Sequence, residues 1–287
     1  MPPYDDLPPA PGRTNEITSP ANPRVKWLTG LRRRQARDDE GVTVVDGYDE
    51  IRLALEAGVE LRALYYSPSL VADRSRLGLV DALSARGVEV VRLGSSAFTR
   101  ASYRESPDGW LAVVPNPARE LSALALSERP LLLIAASIEK PGNLGAMLRT
   151  AEAAGLDAVI AAAAVTDWGN PNVIRASKGT VFAVPVAAAT THETIGWLRA
   201  NGLTIVAASP EAATVVSDVD LTGGVAVVVG AEHEGLSSAW RVAADHAVKI
   251  PMVGRVNSLN VATSAAVVLY EAARQRALTG AGGRVTG

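Results

Sequence analysis

Short apolar runs alternate with amphipathic stretches along the chain, and the runs lengthen past the midpoint. In the first part Val42–Val45, Leu61–Tyr66, Val88–Leu93 and Trp110–Val114 read as strands. Helices over Tyr48–Ala57 and Leu77–Ala85 lie between them and stop at Gly58 and Gly87. Ser19-Pro20 and Asn22-Pro23 punctuate the start of an earlier helix, predicted over Arg24–Arg37. This alternation predicts a small α/β domain with a largely parallel sheet. In the second part Leu131–Ala136 is fully apolar, as in a central strand covered on both faces. Ala158–Ala163, Val181–Val186, Leu203–Ala208 and Val225–Val229 read as further strands, with helices over Ala146–Ala154 and near Glu193–Ala200. Val261, Ala265, Val268, Leu269 and Ala272 recur at three- and four-residue steps, the pattern of a buried helix, and Ser258 is placed to be its N-cap.

Breaks in the pattern set the domain limits. Pro2, Pro3, Pro8, Pro9 and Pro11 mark residues 1–15 as disordered, and Pro115-Asn116-Pro117 opens a linker that runs to Pro130. The expected division is 16–114 for the first domain, 115–130 for the linker and 131–287 for the second, in line with a length of 287 residues.

Composition narrows the class. With 48% hydrophobic and 20% charged residues the chain is an ordinary globular one, and without cysteine it has neither disulfides nor thiolate metal sites. The three histidines, His192, His233 and His246, lack metal-ligand spacing, so no metal is expected. No apolar stretch is long enough to span a membrane, and the Pro-rich, acidic start is unlike a signal peptide, so the expected location is cytoplasmic. A net charge of −2 does not announce a nucleic-acid partner, but a local patch does not need a basic total. One basic segment stands out: Arg13, Arg24, Lys26, Arg32, Arg33, Arg34 and Arg37, followed by Asp38, Asp39 and Glu40. It reads either as an RNA contact or as a solvated helix balanced by its own acids.

Candidate chemistry sits where the predicted strands of the second domain end, the edge at which open α/β sheets bind ligands. The first strand leads into Lys140-Pro141-Gly142-Asn143-Leu144-Gly145 and a helix carrying Arg149. A loop Asn and a helical Arg six residues on can converge on one pocket. Arg149 suits either bidentate contact with phosphate or an ion pair with Glu152. The fourth strand of this domain, Leu203–Ala208, ends in Ser209-Pro210, and the fifth, Val225–Val229, ends in Gly230-Ala231-Glu232-His233-Glu234-Gly235. The two glycines let backbone amides approach a ligand, while Glu232, His233 and Glu234 read as an acid–base group or as an exposed turn. Neither a P-loop nor a G-x-G-x-x-G fingerprint is present. Ile250–Leu259 then places Pro251, Gly254, Asn257, Ser258 and Asn260 directly before the last helix.

Taken together, Asn143-x-Gly145-x-x-x-Arg149-Thr150-Ala151, Gly230-x-Glu232-x-x-Gly235-Leu236 and Ile250-Pro251-Met252-x-Gly254-x-x-x-Ser258-Leu259-Asn260-Val261 resemble the three motifs of the SpoU (TrmH-like) RNA 2′-O-ribose methyltransferases. Ser177-Lys178-Gly179-Thr180 is also similar to that family. The first domain resembles the ribosomal-protein-like domain that precedes the catalytic domain in many members, through Asn22-Pro23-x-Val25-Lys26, Val44-Val45-Asp46-Gly47 and Ser106–Val114. The resemblance implies an α/β chain whose C-terminal parallel-sheet domain is tied in a deep trefoil knot, preceded by a small α/β RNA-binding domain. It implies a homodimer using S-adenosylmethionine to methylate a ribose 2′-hydroxyl. Asn143, Arg149, Glu232, Ser258 and Asn260 would be catalytic. The cofactor would lie against Ala208, Ser209, Pro210, Gly230, Ala231, Glu232, Ile250, Met252, Ser258 and Leu259, and the RNA against Arg24, Lys26, Arg32, Arg33, Arg34 and Arg37. The expected substrate is large-subunit (23S) rRNA, and the arrangement suits an antibiotic-resistance enzyme of the avilamycin-resistance type. The alternatives are a tRNA 2′-O-methyltransferase and a non-catalytic RNA-binding or ribosome-assembly protein.

Overall fold

A computed structural model describes residues 3–7, 16–231 and 234–280. By their contacts these form two compact units. One runs up to Pro117 and takes in Gly169–Ala183, and the other holds Ala118–Trp168 and the chain from Val184 onward.

The first unit runs β1 (Glu16–Ile17), α1 (Pro23–Gly30), α2 (Arg34–Glu40), β2 (Val42–Asp46), α3 (Tyr48–Glu56), β3 (Ala63–Tyr66), α4 (Gly78–Ala85), β4 (Glu89–Leu93), α5 (Ser95–Ala101) and β5 (Trp110–Pro115). Its sheet order is β1-β4-β3-β5-β2. β4 is parallel to β1 and β3, but β5 lies antiparallel between β3 and β2, so the largely parallel sheet expected here is mixed.

The helix expected over Arg24–Arg37 is two helices. Asn22 caps the first, accepting from the Arg24 amide at 2.9 Å, and the chain breaks after Gly30. Arg37 fills the break: its guanidinium donates to the carbonyls of Leu31 (2.9 Å) and Arg32 (3.1 Å). Residues 3–7 also depart from expectation. Tyr4 packs on Trp27 with ring centroids 4.9 Å apart, and Leu7 joins the core built on Trp27, Leu28, Tyr65 and Phe98. Disorder therefore does not extend through this part of 1–15; residues 1–2 and 8–15 lie outside the described residues.

The second unit runs β6 (Ala118–Arg119), β7 (Leu131–Ala136), α6 (Pro141–Ala153) and β8 (Ala158–Ala162). An excursion carrying α7 (Pro171–Ala176) follows. The unit then resumes with β9 (Val186–Ala189), α8 (Thr191–Ala200), β10 (Thr204–Ala208), β11 (Thr214–Val215), β12 (Val225–Val229), α9 (Ser238–Ala243), β13 (His246–Lys249) and α10 (Val261–Leu278). The excursion Gly169–Ala183 belongs to the first unit, where the Thr43 hydroxyl donates to the Gly169 carbonyl and α7 covers the edge strand β2. A buried edge has no free ladder on which another chain could pair. The sequence reading had kept this segment in the second domain.

All pairings of the second sheet are parallel, in the order β11-β13-β10-β12-β7-β8-β9-β6. β6 lies in the stretch expected to be linker and adds a strand at the far edge. The strand expected over Val181–Val186 starts later. Thr180–Phe182 is a 3-10 turn entered through Gly179 at φ +84°, and Pro185, which has no amide to donate, precedes β9. β13, too short and too polar to show in the pattern, inserts between β10 and β11. α10 packs on α6, β10 and β12 with Val261, Ala262, Ala265, Val268, Leu269 and Ala272 inward. Near its end Arg276, only 9% exposed, donates to the carbonyls of Arg129 (2.7 Å), Pro130 (3.2 Å), Leu221 (3.1 Å) and Gly223 (2.6 Å). One helix thus holds the segments that enter β7 and β12. Among the described residues no helix is long and apolar enough to cross a membrane.

Candidate active site

Because the sheet is parallel, the loops leaving the adjacent strands β13, β10, β12 and β7 lie at one edge. These loops carry the residues singled out in the sequence.

Pro141 occupies the first turn of α6, so Asn143 lies in the helix rather than in a loop before it. Its Oδ1 accepts from Asn260 Nδ2 at 3.2 Å. Asn260 in turn is the N-cap of α10, its Oδ1 accepting from the amides of Ala262 (3.0 Å) and Thr263 (3.4 Å). One side chain therefore caps α10 and ties it to the start of α6. This corrects the Ser258 cap. Ser258 is exposed and makes no hydrogen bond with the described residues, which leaves its hydroxyl available.

Arg149 does not converge with Asn143. In a continuous helix, residues six apart point about 120° away from each other and stand about 9 Å apart along the axis. Arg149 is exposed and makes no ion pair with Glu152 or any other described residue. The structure brings Asn143 and Asn260 together and leaves Arg149 directed elsewhere.

The turn after β10 is closed by Ser209, whose amide donates to the Val248 carbonyl of β13 at 2.9 Å, while its carbonyl accepts from Ala212 at 3.2 Å. With Pro210 lacking an amide and the Ser209 amide spent on Val248, the backbone of 208–210 offers a ligand carbonyl groups, and the Ser209 hydroxyl adds a donor. The loop after β12 folds back on itself, the Gly235 amide donating to Ala231 at 3.0 Å. Gly235 takes a left-handed φ of +65°. A methyl group at Gly230 would collide with the Gly235 backbone and stand 2.7 Å from the Leu236 nitrogen. Gly230→Ala should therefore open this loop, costing about 1–3 kcal/mol of stability and speeding exchange of the Gly235 amide hydrogen. Unchanged protection would show that the loop absorbs the methyl. Glu232 and His233 lie outside the described residues.

Ile250 and Met252 are half-buried, while Val253, Gly254, Arg255, Val256, Asn257, Ser258 and Leu259 are exposed. Two features at this edge carried no signal in the sequence. Ser137 and Ala163, just past the ends of β7 and β8, adopt left-handed φ values of 55° and 52°. Such conformations are costly for residues with a Cβ and persist where the surroundings impose them. Thr166 fixes the first of these loops by donating to the Glu139 carbonyl.

The basic segment of the first unit divides sharply. Arg24 is 4% exposed, bidentate to Glu89 (2.9 and 3.0 Å) and within 3.3 Å of the Tyr65 hydroxyl, and Arg37 is 1% exposed. Both guanidinium groups serve the fold, which removes them from the expected RNA contacts. Arg34 pairs with Asp38 at 3.4 Å. Arg32 donates to the carbonyls of Ser102 (2.7 Å) and Arg100 (3.3 Å) and lies over the Tyr103 ring at 5.3 Å. Lys26 and Arg33 are exposed, as is Arg100, which adjoins them only once α1 and α5 have packed.

Chains with this parallel sheet and these three loops form a known class. The chain belongs to the SpoU rRNA Methylase family, which it matches over residues 130–270, and residues 22–112 match the MRM3-like substrate binding domain. It is 32% identical over 257 residues to the 23S rRNA (uridine(2479)-2′-O)-methyltransferase of Streptomyces viridochromogenes, covering 88% of this chain and 89% of that one. It is 36% identical over 211 residues to the 23S rRNA (guanosine-2′-O-)-methyltransferase RlmB of Coxiella burnetii, covering 71% and 84%. Among solved structures, an RNA 2′-O ribose methyltransferase superposes with a TM-score of 0.79 at 40% identity, covering 92% of this chain and all (100%) of that one. The SpoU methyltransferase AviRb from Streptomyces viridochromogenes, in complex with AdoMet, superposes with a TM-score of 0.80 at 29% identity, covering 90% and 100%.

Proposed function

We propose that this protein transfers a methyl group from S-adenosylmethionine to a ribose 2′-hydroxyl of 23S rRNA. The observation that carries the reading is the Asn143–Asn260 hydrogen bond, which joins the first and third motifs beside the third loop's unspent polar groups. Relatives named for this reaction on 23S rRNA match across both units, which supports the substrate.

The residues at the edge fit such a cofactor. A ligand gripped by backbone needs loops whose polar groups are not already paired. Residues 252–259 make no hydrogen bond with the described residues, and Gly230 keeps the neighbouring loop narrow. Ala208–Pro210, Gly230–Glu232, Ile250, Met252, Ser258 and Leu259 would hold it. When bound, the group would supply an electrophilic methyl: its S–CH3 bond breaks as the new O–CH3 bond forms, S-adenosylhomocysteine leaves, and the hydroxyl proton passes to water. Ser258 and Asn260 position the acceptor hydroxyl, and Asn143 holds Asn260 in place. Arg149 lowers the cost of negative charge developing on the ribose oxygen and binds its flanking phosphate. Glu232 is assigned the part of orienting its neighbours. Titration calorimetry tests the site: one S-adenosylmethionine per chain is expected, and no heat of binding would refute it.

Arg149 points away from Asn143, which favours a site completed by a second copy. Val267 (38% exposed) and Tyr270 (52%) on the outer face of α10 suit such a homodimer. Sedimentation should give twice the 29.9 kDa of one chain, and a monomer at assay concentrations would rule it out. The knot would be closed where residues 250–260 pass from β13 back across β10 to α10. A chain cyclised through its termini and then unfolded would migrate faster on a gel than an unknotted circle.

RNA would lie along the α1–α5 face, on Lys26, Arg32, Arg33 and Arg100, with Arg34 at its edge. Replacing Lys26, Arg33 and Arg100 together by glutamate should weaken RNA binding at least tenfold. The salt dependence should fall by about 0.7–0.9 in log–log slope per cation removed. An unchanged slope would make this face an ordinary solvated surface.

A further inference from the structure

The loop Met252–Leu259 joins β13 to the helix that carries Asn260, and it is unusual in what it leaves unused. None of its residues makes a hydrogen bond or ion pair with the described residues, and from Val253 onward all are exposed. Its one charged side chain is Arg255, exposed and without an acidic partner. On either side Val253 (101% exposed) and Val256 (63%) stand in water. Some exposed arginines elsewhere in the chain find acids, as Arg34 does with Asp38, Arg52 with Glu56 and Arg199 with Asp245, whereas Arg255, like Arg149, does not. A guanidinium left unpaired three residues before Ser258, on a loop with no bonds of its own, is placed to meet an anion that arrives with the substrate.

We infer that Arg255 binds a backbone phosphate of the RNA strand next to the target ribose, and that this contact sets the strand's register over Ser258 and Asn260. The inference rests on the proposed methyl transfer to RNA. The fit is chemical: the planar fork of Arg pairs with two phosphate oxygens at once, and the charge is attracted over a distance that a flexible loop can close. The apolar side chains beside it are suited to the face of a ribose or base rather than to another phosphate. Arg255 is a positioning residue here, since it touches the substrate away from the reacting atoms. A second copy of this chain would instead bring its own carboxylate to Arg255, and that possibility is one outcome of the test.

The test compares wild type with Arg255→Ala, Arg255→Lys and Arg255→Glu in methyl transfer to a 23S rRNA fragment across a range of salt. S-adenosylmethionine affinity is measured by calorimetry and association state by sedimentation. Expected for Arg255→Ala are a KM for RNA raised about 5- to 30-fold and kcat within about twofold. The salt slope should be smaller by about 0.7–0.9, with cofactor affinity and association state unchanged. Arg255→Lys should recover part of the loss, and Arg255→Glu should exceed it. Unaltered KM and slope would overturn the inference. So would a loss of cofactor affinity, which would assign Arg255 to the cofactor wall, or a shift in association state, which would assign it to a subunit contact. A wild type that binds RNA but transfers no methyl would instead strike the proposed function itself.

Discussion

Arg149→Ala is expected to lower the rate of methyl transfer by about 100- to 1,000-fold, the usual consequence of losing a preorganised charge donor at a developing oxyanion. S-adenosylmethionine binding and thermal stability should be unaffected, because Arg149 is exposed and makes no ion pair that the fold would miss. Arg149→Lys should recover little, as an ammonium restores the charge without the bidentate fork. The site is expected to be shared between copies, so mixing Arg149→Ala chains with Asn260→Ala chains should restore part of the activity in mixed dimers. Normal turnover by Arg149→Ala would remove this residue from the chemistry, and a parallel loss of cofactor affinity would make its role structural.

The largest stability effect is expected at Arg276. Its guanidinium bonds four backbone carbonyls from two separate segments while almost fully buried, and burial pulls its pKa below the ordinary guanidinium value. Arg276→Ala would leave the carbonyls of Arg129, Leu221 and Gly223 without this donor inside a cavity, while Pro130 keeps the Val225 amide, costing about 3–5 kcal/mol. At about 2–4 °C per kcal/mol for a chain of this size class, Tm should fall by about 6–20 °C. Arg276→Met, which keeps the volume, should recover the packing part of the loss but not the hydrogen-bonding part. Calorimetric melting decides it: a fall of less than about 2 °C would mean that water reaches these carbonyls and the clamp is dispensable.

The two readings of the chain, from sequence and from structure, agree best where a single physical cause dominates. Leu131–Ala136 and Val225–Val229 match their strands residue for residue, because a strand buried on both faces must be apolar at every position. The three motif loops were also visible, since their residue types follow from chemistry rather than from packing. Agreement fails where tertiary contacts choose between local options of similar energy. Ser258 and Asn260 are both good caps, and the bond to Asn143 is what selects Asn260. Arg24 and Arg37 look like surface cations in a charged segment, and nothing local shows that Glu89, far along the chain, and the Leu31–Arg32 break will claim them. The divergence of Asn143 and Arg149 was foreshadowed by Pro141, a residue favoured at the first position of a helix. The shift of β9 past Pro185 had a comparable local sign.

The central claim is methyl transfer to an rRNA ribose, and it is tested most directly with the purified protein, methyl-tritiated S-adenosylmethionine and separate pools of 23S rRNA, 16S rRNA and tRNA. Label should enter 23S rRNA alone and survive as an alkali-resistant dinucleotide, the mark of a 2′-O-methyl group, at one mapped ribose. Label on a base, label confined to tRNA, or no transfer by a protein that binds the cofactor would contradict the account.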